Sequence, residues 1–395
     1  MNKKTIRDID IDGKRVLVRV DFNVPIDKET KRILDDTRIR AALPTIAYLR
    51  EHGAKVVLVS HLGRPDGKVV ESARLAPVAA RLAELIGAPV ACATDVVGAS
   101  ARAAVAALAP GGVAMLENVR FEPGEEKNDP ELARQLAAFA DVYVNDAFGT
   151  AHRAHASTAG VAAQLPAVAG FLMEKEIDYL GRVVSEPQPP VAAIIGGAKI
   201  SSKIAVLQHL LSKVSTLLIG GGMASTFLKA QGVGVGASLV EDDQMETARG
   251  VIAEAAKRGV VLGLPVDAVV AERFAADAAS RTVDVGAVPD GWMILDVGPR
   301  TVADYEAKLA GMKTVVWNGP LGVAEWAAFA HGSHDVARFL AKLDATVVIG
   351  GGETVAMVTE LGLADRYAHV STGGGASLEF LEGRELPGVA ALLDR

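Results

Sequence analysis

A short apolar run followed by glycines and a helical pattern recurs in this chain and constrains its fold more than any other feature. Residues 346–349 and 369–372 each lead into three glycines that precede a helical pattern. Shorter versions follow the apolar runs that end at Ile195 and Ile219. Glycine lets the backbone approach a ligand, and a helix start presents N–H groups and positive potential to an anion. One such turn could be a plain tight connection, but four of them favour phosphate binding.

The remaining sequence alternates strand and helix patterns in the same order. Apolar runs near residues 14–21, 55–60, 113–116 and 142–144 each end in a polar loop that a helical pattern follows. A second series of the same kind begins at Val191. This alternation predicts the α/β class, with parallel sheets that carry helices on both faces and bind ligands at the carboxyl ends of their strands.

A long amphipathic helix at 171–185, followed by Pro187, Pro189 and Pro190, predicts the joint between two domains. We expect an N-terminal domain at 1–170, an interdomain helix and linker at 171–188 and a C-terminal domain at 189–379. The tail, about 380–395, is too short to form a unit, and we expect it to pack back on the N-terminal domain.

Composition excludes several classes of function. A formal net charge of -7 argues against a nucleic-acid or anionic-membrane surface. The single cysteine, Cys92, excludes an internal disulfide and CxxC sites, and its apolar neighbours predict a buried, inert thiol. With no signal-peptide pattern and no apolar run of about 18 residues, we expect a cytoplasmic protein with no membrane partner. We also expect a monomer.

The loops after the strands carry the residues with binding chemistry. Arginine and histidine recur there, and arginine suits bidentate contacts with phosphate and carboxylate. In the first half of the chain the polar loop residues are Asp21, Asn23, Arg38, His61, Arg64, Arg120, His152, Arg153 and His155. In the second half Lys199 and Lys203 follow a glycine turn, and their spacing predicts one shared face at a helix start.

Common nucleotide and hydrolase motifs are missing. The sequence contains no GxxxxGK[ST], no GxGxxG after a strand, no HExxH and no GxSxG. A basic half-site and a glycine-rich half-site on two domains instead suggest phosphoryl transfer, in which positioning, charge neutralisation and water exclusion supply the catalysis.

Twelve stretches make the chain resemble the phosphoglycerate kinase family, in the family's order and across nearly the whole length. They are RVDFNVP (19–25), DDTRIRAALPTI (35–46), SHLGRP (60–65), LENVRF (116–121), NDAFGTAHRAHAST (145–158), GFLMEKEI (170–177), GGAKISSKI (196–204), GGGMASTFL (220–228), LPVD (264–267), VWNGPLGV (316–323), IGGGET (349–354) and STGGGAS (371–377).

The resemblance implies two Rossmann-like domains joined by the long helix, with a cleft that closes before in-line transfer. The implied reaction is reversible phosphoryl transfer from 1,3-bisphosphoglycerate to ADP, giving 3-phosphoglycerate and ATP, with Mg²⁺ bound by the nucleotide. The implied substrate-binding residues are Asp21, Phe22, Asn23, Arg38, His61, Leu62, Gly63, Arg64, Arg120 and Arg153.

By the same resemblance, the C-terminal domain binds the nucleotide. The implied nucleotide-binding residues are Gly197, Ala198, Lys203, Gly221, Asn318, Pro320, Gly322, Val323, Glu325, Gly350, Gly351, Gly352, Glu353 and Thr354, and Glu353 is also the implied metal ligand. The implied catalytic residues are Arg38, Lys199, Gly373, Gly374 and Gly375. No general base is needed, because the attacking carboxylate is ionised at pH 7.

Four positions depart from the family pattern that the resemblance brings with it. Glu353 stands where the family has an aspartate that binds Mg²⁺, so we expect metal binding with altered geometry. Ser225, Ser202 and Ala324 stand where the family has tyrosine, aspartate and phenylalanine. A catalytically impaired nucleotide-binding homologue is therefore one alternative. A dehydrogenase is another, and the missing GxGxxG counts against it.

Overall fold

The computed structural model describes residues 2–27 and 29–395 and resolves them into two compact units. Unit 1 contains the described part of Met1–Asp178 together with Glu385–Arg395, and unit 2 contains Tyr179–Arg384. Each unit is built on a six-stranded parallel sheet, as the strand–helix alternation predicts. None of the helices among the described residues is both long and apolar enough to cross a membrane.

Unit 1 is organised around a sheet with strand order β3-β4-β2-β1-β5-β6. The strands are β1 Arg15–Arg19, β2 Lys55–Val59, β3 Val90–Cys92, β4 Val113–Met115, β5 Val142–Asn145 and β6 Ala167–Ala169. The helices are α1 Thr37–Glu51, α2 Ala76–Ile86, α3 Ala99–Ala106 and α4 Pro130–Ala137, and unit 1 also includes α13 Pro387–Ala390 of the tail.

Helix α1 runs without a break through Pro44, although proline inside a helix removes one backbone hydrogen bond. Pro44 inside the helical pattern predicts a kink or a break, and the predicted break is absent, because Ile39, Ile46 and Leu49 bury the helix on both sides of the proline. Its N-terminus is held by Asp35, whose carboxylate accepts a hydrogen bond from the Thr37 N–H at 2.9 Å.

The prediction that Cys92 is buried is wrong. Its strand, β3, is an edge strand of the unit 1 sheet, and Cys92 is exposed there. Partial desolvation raises the pKa of its thiol, with a smaller contribution in the same direction from Glu117. The thiol is therefore protonated at neutral pH, and the expectation of low reactivity still follows from that pKa.

The tail packs in unit 1. The Lys4 N–H donates to the Leu393 carbonyl at 2.8 Å, and the Leu393 N–H donates to the Ala167 carbonyl at 2.9 Å. The Asn145 side-chain amide donates to the Gly388 carbonyl at 3.0 Å. Strand β6 is therefore covered by the two ends of the chain.

Unit 2 repeats the parallel architecture with strand order β15-β14-β13-β7-β8-β9 and adds a three-stranded antiparallel sheet. The parallel strands are β7 Val191–Ile195, β8 Thr216–Ile219, β9 Val261–Gly263, β13 Thr314–Asn318, β14 Thr346–Gly350 and β15 His369–Val370. The antiparallel strands are β10 Asp267–Ala271, β11 Ser280–Asp284 and β12 Met293–Val297. The second sheet was not predicted, because β11 is polar and largely exposed and has no apolar periodicity.

The helices of unit 2 surround the parallel sheet and follow the glycine turns. They are α6 Ile204–Leu210, α7 Gly222–Ala230, α8 Met245–Arg258, α9 Pro299–Leu309, α10 His331–Leu340, α11 Gly352–Glu360 and α12 Gly375–Leu381, and the long helix α5 Phe171–Ser185 contains the point where unit 1 ends and unit 2 begins. Fully buried Trp317 and Tyr305 lie in the unit 2 core. Each polar loop therefore begins where a buried strand ends.

Candidate functional site

The polar loops of unit 1 leave neighbouring strands at one edge of the sheet. Asp21 and Asn23 follow β1, His61 follows β2, and Arg120 follows β4. Since β4, β2 and β1 are adjacent and parallel, their carboxyl ends meet there. Arg153 follows β5, the other neighbour of β1. The fold thus brings the predicted substrate residues to one edge.

Hydrogen bonds join several of these residues directly. Arg38 Nη1 donates to Asp21 Oδ2 at 2.9 Å. The Gly63 N–H donates to Asn23 Oδ1 at 2.9 Å, and Arg120 Nη1 donates to the Gly63 carbonyl at 2.8 Å. The loop at Gly63 is therefore held from two sides, and the cluster exists before any ligand is considered.

Two of the predicted arginines differ in how they are held. Arg64 is exposed, and its side chain pairs with no other residue in the described ranges. Arg153 Nε donates to His152 Nε2 at 3.1 Å. An exposed guanidinium with free donors can turn toward a phosphate with little loss of existing bonds.

Phe22 and Leu62 are buried, so their side chains support the loops and do not face a ligand. The Phe22 N–H donates to Ser60 Oγ at 2.9 Å, and the Leu62 N–H donates to Asn118 Oδ1 at 3.2 Å. Their backbone donors are therefore occupied as well, and both positions are structural supports in this conformation.

Burial and neighbouring cations keep His61 and His155 neutral. Burial, followed by the charges of Arg19, Arg120 and Arg38, holds the pKa of His61 well below its usual range. Burial, followed by the charges of Arg19, Arg120 and Arg153, lowers the pKa of His155 to about 4. Positive charge at this site therefore comes from guanidinium groups.

Sequence reasoning missed Arg19 and Glu125, which lie fully buried behind the loops. Both are charged residues without solvent exposure, a combination that occurs where charges are paired. The one available signal was a charged side chain at the end of an otherwise apolar strand, at Arg19. Glu125 has no such signal, because its loop is polar throughout.

In unit 2 the glycine turns after β7, β8 and β13 pack backbone against backbone. The Gly197 N–H donates to the Pro320 carbonyl at 3.0 Å, and the Gly221 N–H donates to the Leu321 carbonyl at 2.8 Å. A Cβ added at Gly196 would lie 2.0 Å from the Pro320 carbonyl oxygen. No larger residue fits this contact, so glycine is a steric requirement here.

These turns form one wall of a cavity of about 250 Å³ in unit 2. The predicted nucleotide residues that line it are Gly197, Ala198, Gly221, Pro320, Gly322, Val323, Glu325 and Glu353. The sequence did not predict its apolar lining, which includes Leu228, Leu239, Pro265, Phe274, Met293 and Leu295. A largely apolar cavity with a few polar groups at its edge suits a nucleoside-sized ligand.

A carboxylate that the sequence did not predict, Asp296, also belongs to the cavity. Its Oδ2 accepts a hydrogen bond from the Gly332 N–H at 2.9 Å, at the start of α10. Burial raises the pKa of Asp296 to about 7, with Asp335 acting in the same direction. Its Oδ1 would lie 2.2 Å from a Cβ at Gly322, so the carboxylate supports that turn from beneath.

The other predicted nucleotide residues lie outside the cavity lining, and hydrogen bonds hold some of them in place. Lys203 Nζ donates to Asn318 Oδ1. The Gly319 N–H donates to the buried Thr354 hydroxyl at 2.9 Å. Gly350, Gly351 and Gly352 span the end of β14 and the start of α11. This group ties the β13 loop to α11 and supports the turns.

The prediction that Lys199 and Lys203 share one face of a helix start is wrong. Helix α6 begins only at Ile204, and 201–203 form a turn, so neither lysine lies in the helix. The Lys199 side chain is exposed and unpaired among the described residues. Burial lowers the pKa of Lys203, while the charges of Glu353 and Glu382 act in the opposite direction.

The last of the four glycine clusters, Gly373 to Gly375, precedes α12. The Gly373 N–H donates to Ser371 Oγ at 3.1 Å, so that amide is already occupied. Gly374 has φ +52, in the left-handed region that glycine favours. Any free amide of this cluster therefore belongs to Gly374 or Gly375 and not to Gly373.

Glu353, the predicted metal ligand, lies at the cavity. It is exposed in the first turn of α11 and lines the cavity. Within residues 2–27 and 29–395, no three His, Cys, Asp or Glu side chains are grouped to hold a metal alone. Since Mg²⁺ is usually held by one or two carboxylates together with substrate phosphates, a single carboxylate here fits the ion.

The other departures from the family pattern have separate structural settings. Ser202 Oγ donates to the Lys199 carbonyl at 2.8 Å. Ser225 is buried in α7, and its hydroxyl has no hydrogen-bond partner in the described structure. Ala324 packs against the unit 2 core. Only Ser202 directly stabilises a backbone group near a predicted site residue.

Comparison with known proteins gives one consistent result. The family model for phosphoglycerate kinase matches residues 6–384. The chain is 60% identical to the phosphoglycerate kinases of Moorella thermoacetica and Synechococcus elongatus, over 100% of this chain and of each relative. The solved phosphoglycerate kinase structures from Coxiella burnetii (TM-score 0.89, 42% identity) and Pyrococcus horikoshii (TM-score 0.86, 34% identity) each match over 98% of both chains.

Proposed function

The chain belongs to the phosphoglycerate kinase family, and from that premise we propose how its two units share the reaction. It transfers a phosphoryl group reversibly from 1,3-bisphosphoglycerate to ADP, giving 3-phosphoglycerate and ATP, a step of glycolysis and gluconeogenesis. It is thus a phosphotransferase that uses a carboxyl group as acceptor. Full-length relatives at 60% identity support this activity and not the catalytically impaired homologue.

We assign 3-phosphoglycerate to unit 1. Asp21, Asn23 and Arg38 would hold its hydroxyl and carboxylate, since they meet at the end of β1. His61, Arg64, Arg120 and Arg153 would hold its phosphate. The support for this assignment is that one sheet edge gathers three arginines, and arginine binds phosphate with paired donors.

We assign the nucleotide to unit 2. The single observation that carries this assignment is the cavity walled by the glycine turns after β7, β8 and β13. The apolar part would take the base, Glu325 the ribose, and Lys203 the phosphates. Glu353 would hold Mg²⁺, which when bound neutralises charge on the transferring phosphates.

We place the chemical step at Lys199, Arg38 and the amides of Gly374 and Gly375. These groups would neutralise charge on the moving phosphoryl group, and none of them would act as a general base. Lys199 suits this task because its ammonium is exposed and unpaired among the described residues. Removing it would therefore cost turnover more than binding.

The domain limits at 1–170, 171–188 and 189–379 also remain proposals. So do a monomeric state, a cytoplasmic location, and partners confined to these substrates, with no nucleic acid or membrane.

A coupled assay with 3-phosphoglycerate, ATP and Mg²⁺ tests the account, with ADP formation as the signal. We expect turnover that requires all three components. A protein that binds ADP in calorimetry but forms no product with any divalent ion would refute the role of the catalytic groups. A Gly322→Val variant that still turns over and binds ADP normally would refute the assignment of the cavity.

A further inference from the structure

A buried chain of hydrogen bonds links His61 to Glu125 inside unit 1. Arg19 Nη2 lies 3.2 Å from His61 Nδ1, and Arg19 Nε donates to Ser157 Oγ at 2.9 Å. The Ser157 hydroxyl donates to Glu125 Oε1 at 2.6 Å, and the Ser157 N–H donates to Glu125 Oε2 at 2.9 Å. All four side chains are at least 95% buried. Glu125 and Ser157 belong to no part of the site assigned so far.

The direction of each bond in this chain is fixed by chemistry. Glu125 accepts from the Ser157 hydroxyl and the Ser157 N–H; burial raises the pKa of its carboxyl, while the charge of Arg19 and these hydrogen bonds act in the opposite direction. A guanidinium can only donate, so Ser157 Oγ accepts from Arg19 and passes its own proton toward Glu125. At the other end, the Arg19 donor meets His61 Nδ1, which must therefore carry a lone pair. A neutral ring with a bare Nδ1 has its proton on Nε2.

The charges around His61 exclude the doubly protonated ring at neutral pH. Arg19, Arg38, Arg120 and His155 all oppose a positive charge there, and burial opposes it further, so the pKa of His61 lies well below its usual range. The nearest facing carboxylate, Asp21, lies 3.9 Å from Nδ1 and is already paired with Arg38.

We propose that Glu125 and Ser157 are positioning residues that act through Arg19 to hold His61 as a neutral ring with its proton on Nε2. His61 then offers the acidic substrate one N–H donor and no charge. This inference rests on the proposed function, because it gives a form to the His61 that we assign to 3-phosphoglycerate.

His61 and the arginines would therefore contribute to substrate recognition in different ways. Arg64, Arg120 and Arg153 supply positive charge, which attracts any anion. The Nε2–H of His61 supplies a directed donor that stays the same between pH 5.5 and 8, whereas an ordinary histidine with a pKa near 6.5 changes charge in that range. Substrate affinity should therefore show no step from His61 in this range.

The test is nitrogen-detected NMR of the full chain with ¹⁵N-labelled histidine, from pH 5.5 to 8. His61 is assigned by the signal that disappears in His61→Gln. We expect a neutral ring protonated on Nε2 throughout this range in the parent. Ser157→Ala and Glu125→Gln should each move His61 toward the other tautomer or toward ordinary titration. Each should also weaken 3-phosphoglycerate binding by about tenfold, since one directed hydrogen bond is misplaced.

Glu126→Gln is the matched control. Glu126 is the next residue of the same loop and pairs with Arg120 Nε at 3.3 Å, but it lies outside the chain of bonds. It should leave the His61 signals unchanged. If Glu125→Gln fails to fold, Ser157→Ala carries the test, and unchanged His61 signals in Ser157→Ala would overturn the inference.

Titration with 3-phosphoglycerate separates this inference from the proposed function. If His61 carries its proton on Nδ1, or titrates with a pKa near 6.5, the inference fails even where substrate shifts its signals. If His61 has the expected form but substrate leaves its signals unmoved, the bond chain stands and the assignment of His61 to the substrate fails.

Discussion

Unit 1 and unit 2 build their candidate sites from the same architecture by opposite means. In unit 1, charged side chains project from the strand ends and are already hydrogen-bonded, as between Arg38 and Asp21. In unit 2, backbone turns press against each other so closely that glycine is required, as at Gly196. A parallel sheet therefore fixes where a site lies but leaves open whether side chains or backbone form it.

The same contrast distinguishes groups that can select a substrate by its shape from groups that can neutralise charge. Side chains in fixed pairs can distinguish a carboxylate, a hydroxyl and a phosphate by shape. In the proposed assignment, the apolar cavity and backbone amides of unit 2 would take the base and phosphates of the nucleotide, and the unpaired cation Lys199 would meet the moving group. The predictions below ask whether these differences hold.

The largest expected effect is at the free cation of unit 2. Lys199→Ala should lower kcat by about 10²–10³-fold, the loss typical of a group that stabilises transition-state charge. Its effect on the Kd for ADP should be small, because the side chain is exposed and away from the cavity lining. Steady-state kinetics and calorimetry on the same samples measure both. Normal turnover with weakened ADP binding would give Lys199 a ground-state role, and Lys213→Ala serves as a surface control.

The next effect concerns the arginines of unit 1. Arg64→Ala and Arg153→Ala should each weaken 3-phosphoglycerate binding by about 10–100-fold, the value of a charge-assisted hydrogen bond. ADP binding should hardly change. Calorimetry of each variant with each ligand decides the point, with exposed Arg102→Ala as the control. Equal losses for both ligands would mean that the division between the units is wrong.

A smaller effect distinguishes the close backbone packing of the unit 2 turns from the cost of a positive φ alone. Gly196→Ala places a Cβ 2.0 Å from the Pro320 carbonyl oxygen and should cost about 1–3 kcal/mol of stability in unit 2 together with ADP affinity. A Cβ at Gly63 meets no atom within 4 Å, so Gly63→Ala should lower the stability only through its φ of +64, by about 1 kcal/mol. Chemical denaturation compares the two. An equal loss at both sites would show that the packing of the turns is unimportant.

The smallest effect should come from shortening the metal ligand. Glu353→Asp keeps the charge, so MgADP should bind at least as tightly as to the parent, while the parent should tolerate Mn²⁺ comparatively well because Mg²⁺ demands stricter geometry. Activity across Mg²⁺ and Mn²⁺ titrations measures this. A Glu353→Gln variant as active as the parent at every Mg²⁺ concentration would show that Glu353 is not a metal ligand.

Features that depend on residues close together in sequence were mostly predicted, whereas contacts between residues far apart in sequence were not. Apolar runs such as residues 55–59 predict buried strands, so the central strands and the loops after them were predicted. The short edge strands β3 and β6 were missed; β3 is largely exposed, so it lacks the buried apolar run that marks β4, a strand of the same length. Helix α6 starts later than its pattern indicates, since 201–203 form a turn before it.

The parts of the site that sequence could not predict are long-range contacts. Arg19 and Ser157 are 138 residues apart, and no spacing rule joins them. The apolar lining of the unit 2 cavity includes Phe274 and Met293 from the antiparallel sheet region, which sequence reasoning did not recognise as a sheet. Motif residues can be recognised by themselves, but the buried groups that hold them need the fold.

Hydrogen exchange followed by mass spectrometry tests the central claim most directly, with 3-phosphoglycerate or ADP added alone. We expect 3-phosphoglycerate to slow exchange in peptides that cover 19–25, 60–65 and 118–121. ADP should slow exchange in peptides that cover 196–203, 220–228 and 318–325. Strong protection of the unit 1 loops by ADP, or of the unit 2 turns by 3-phosphoglycerate, would contradict the assignment of one ligand to each unit.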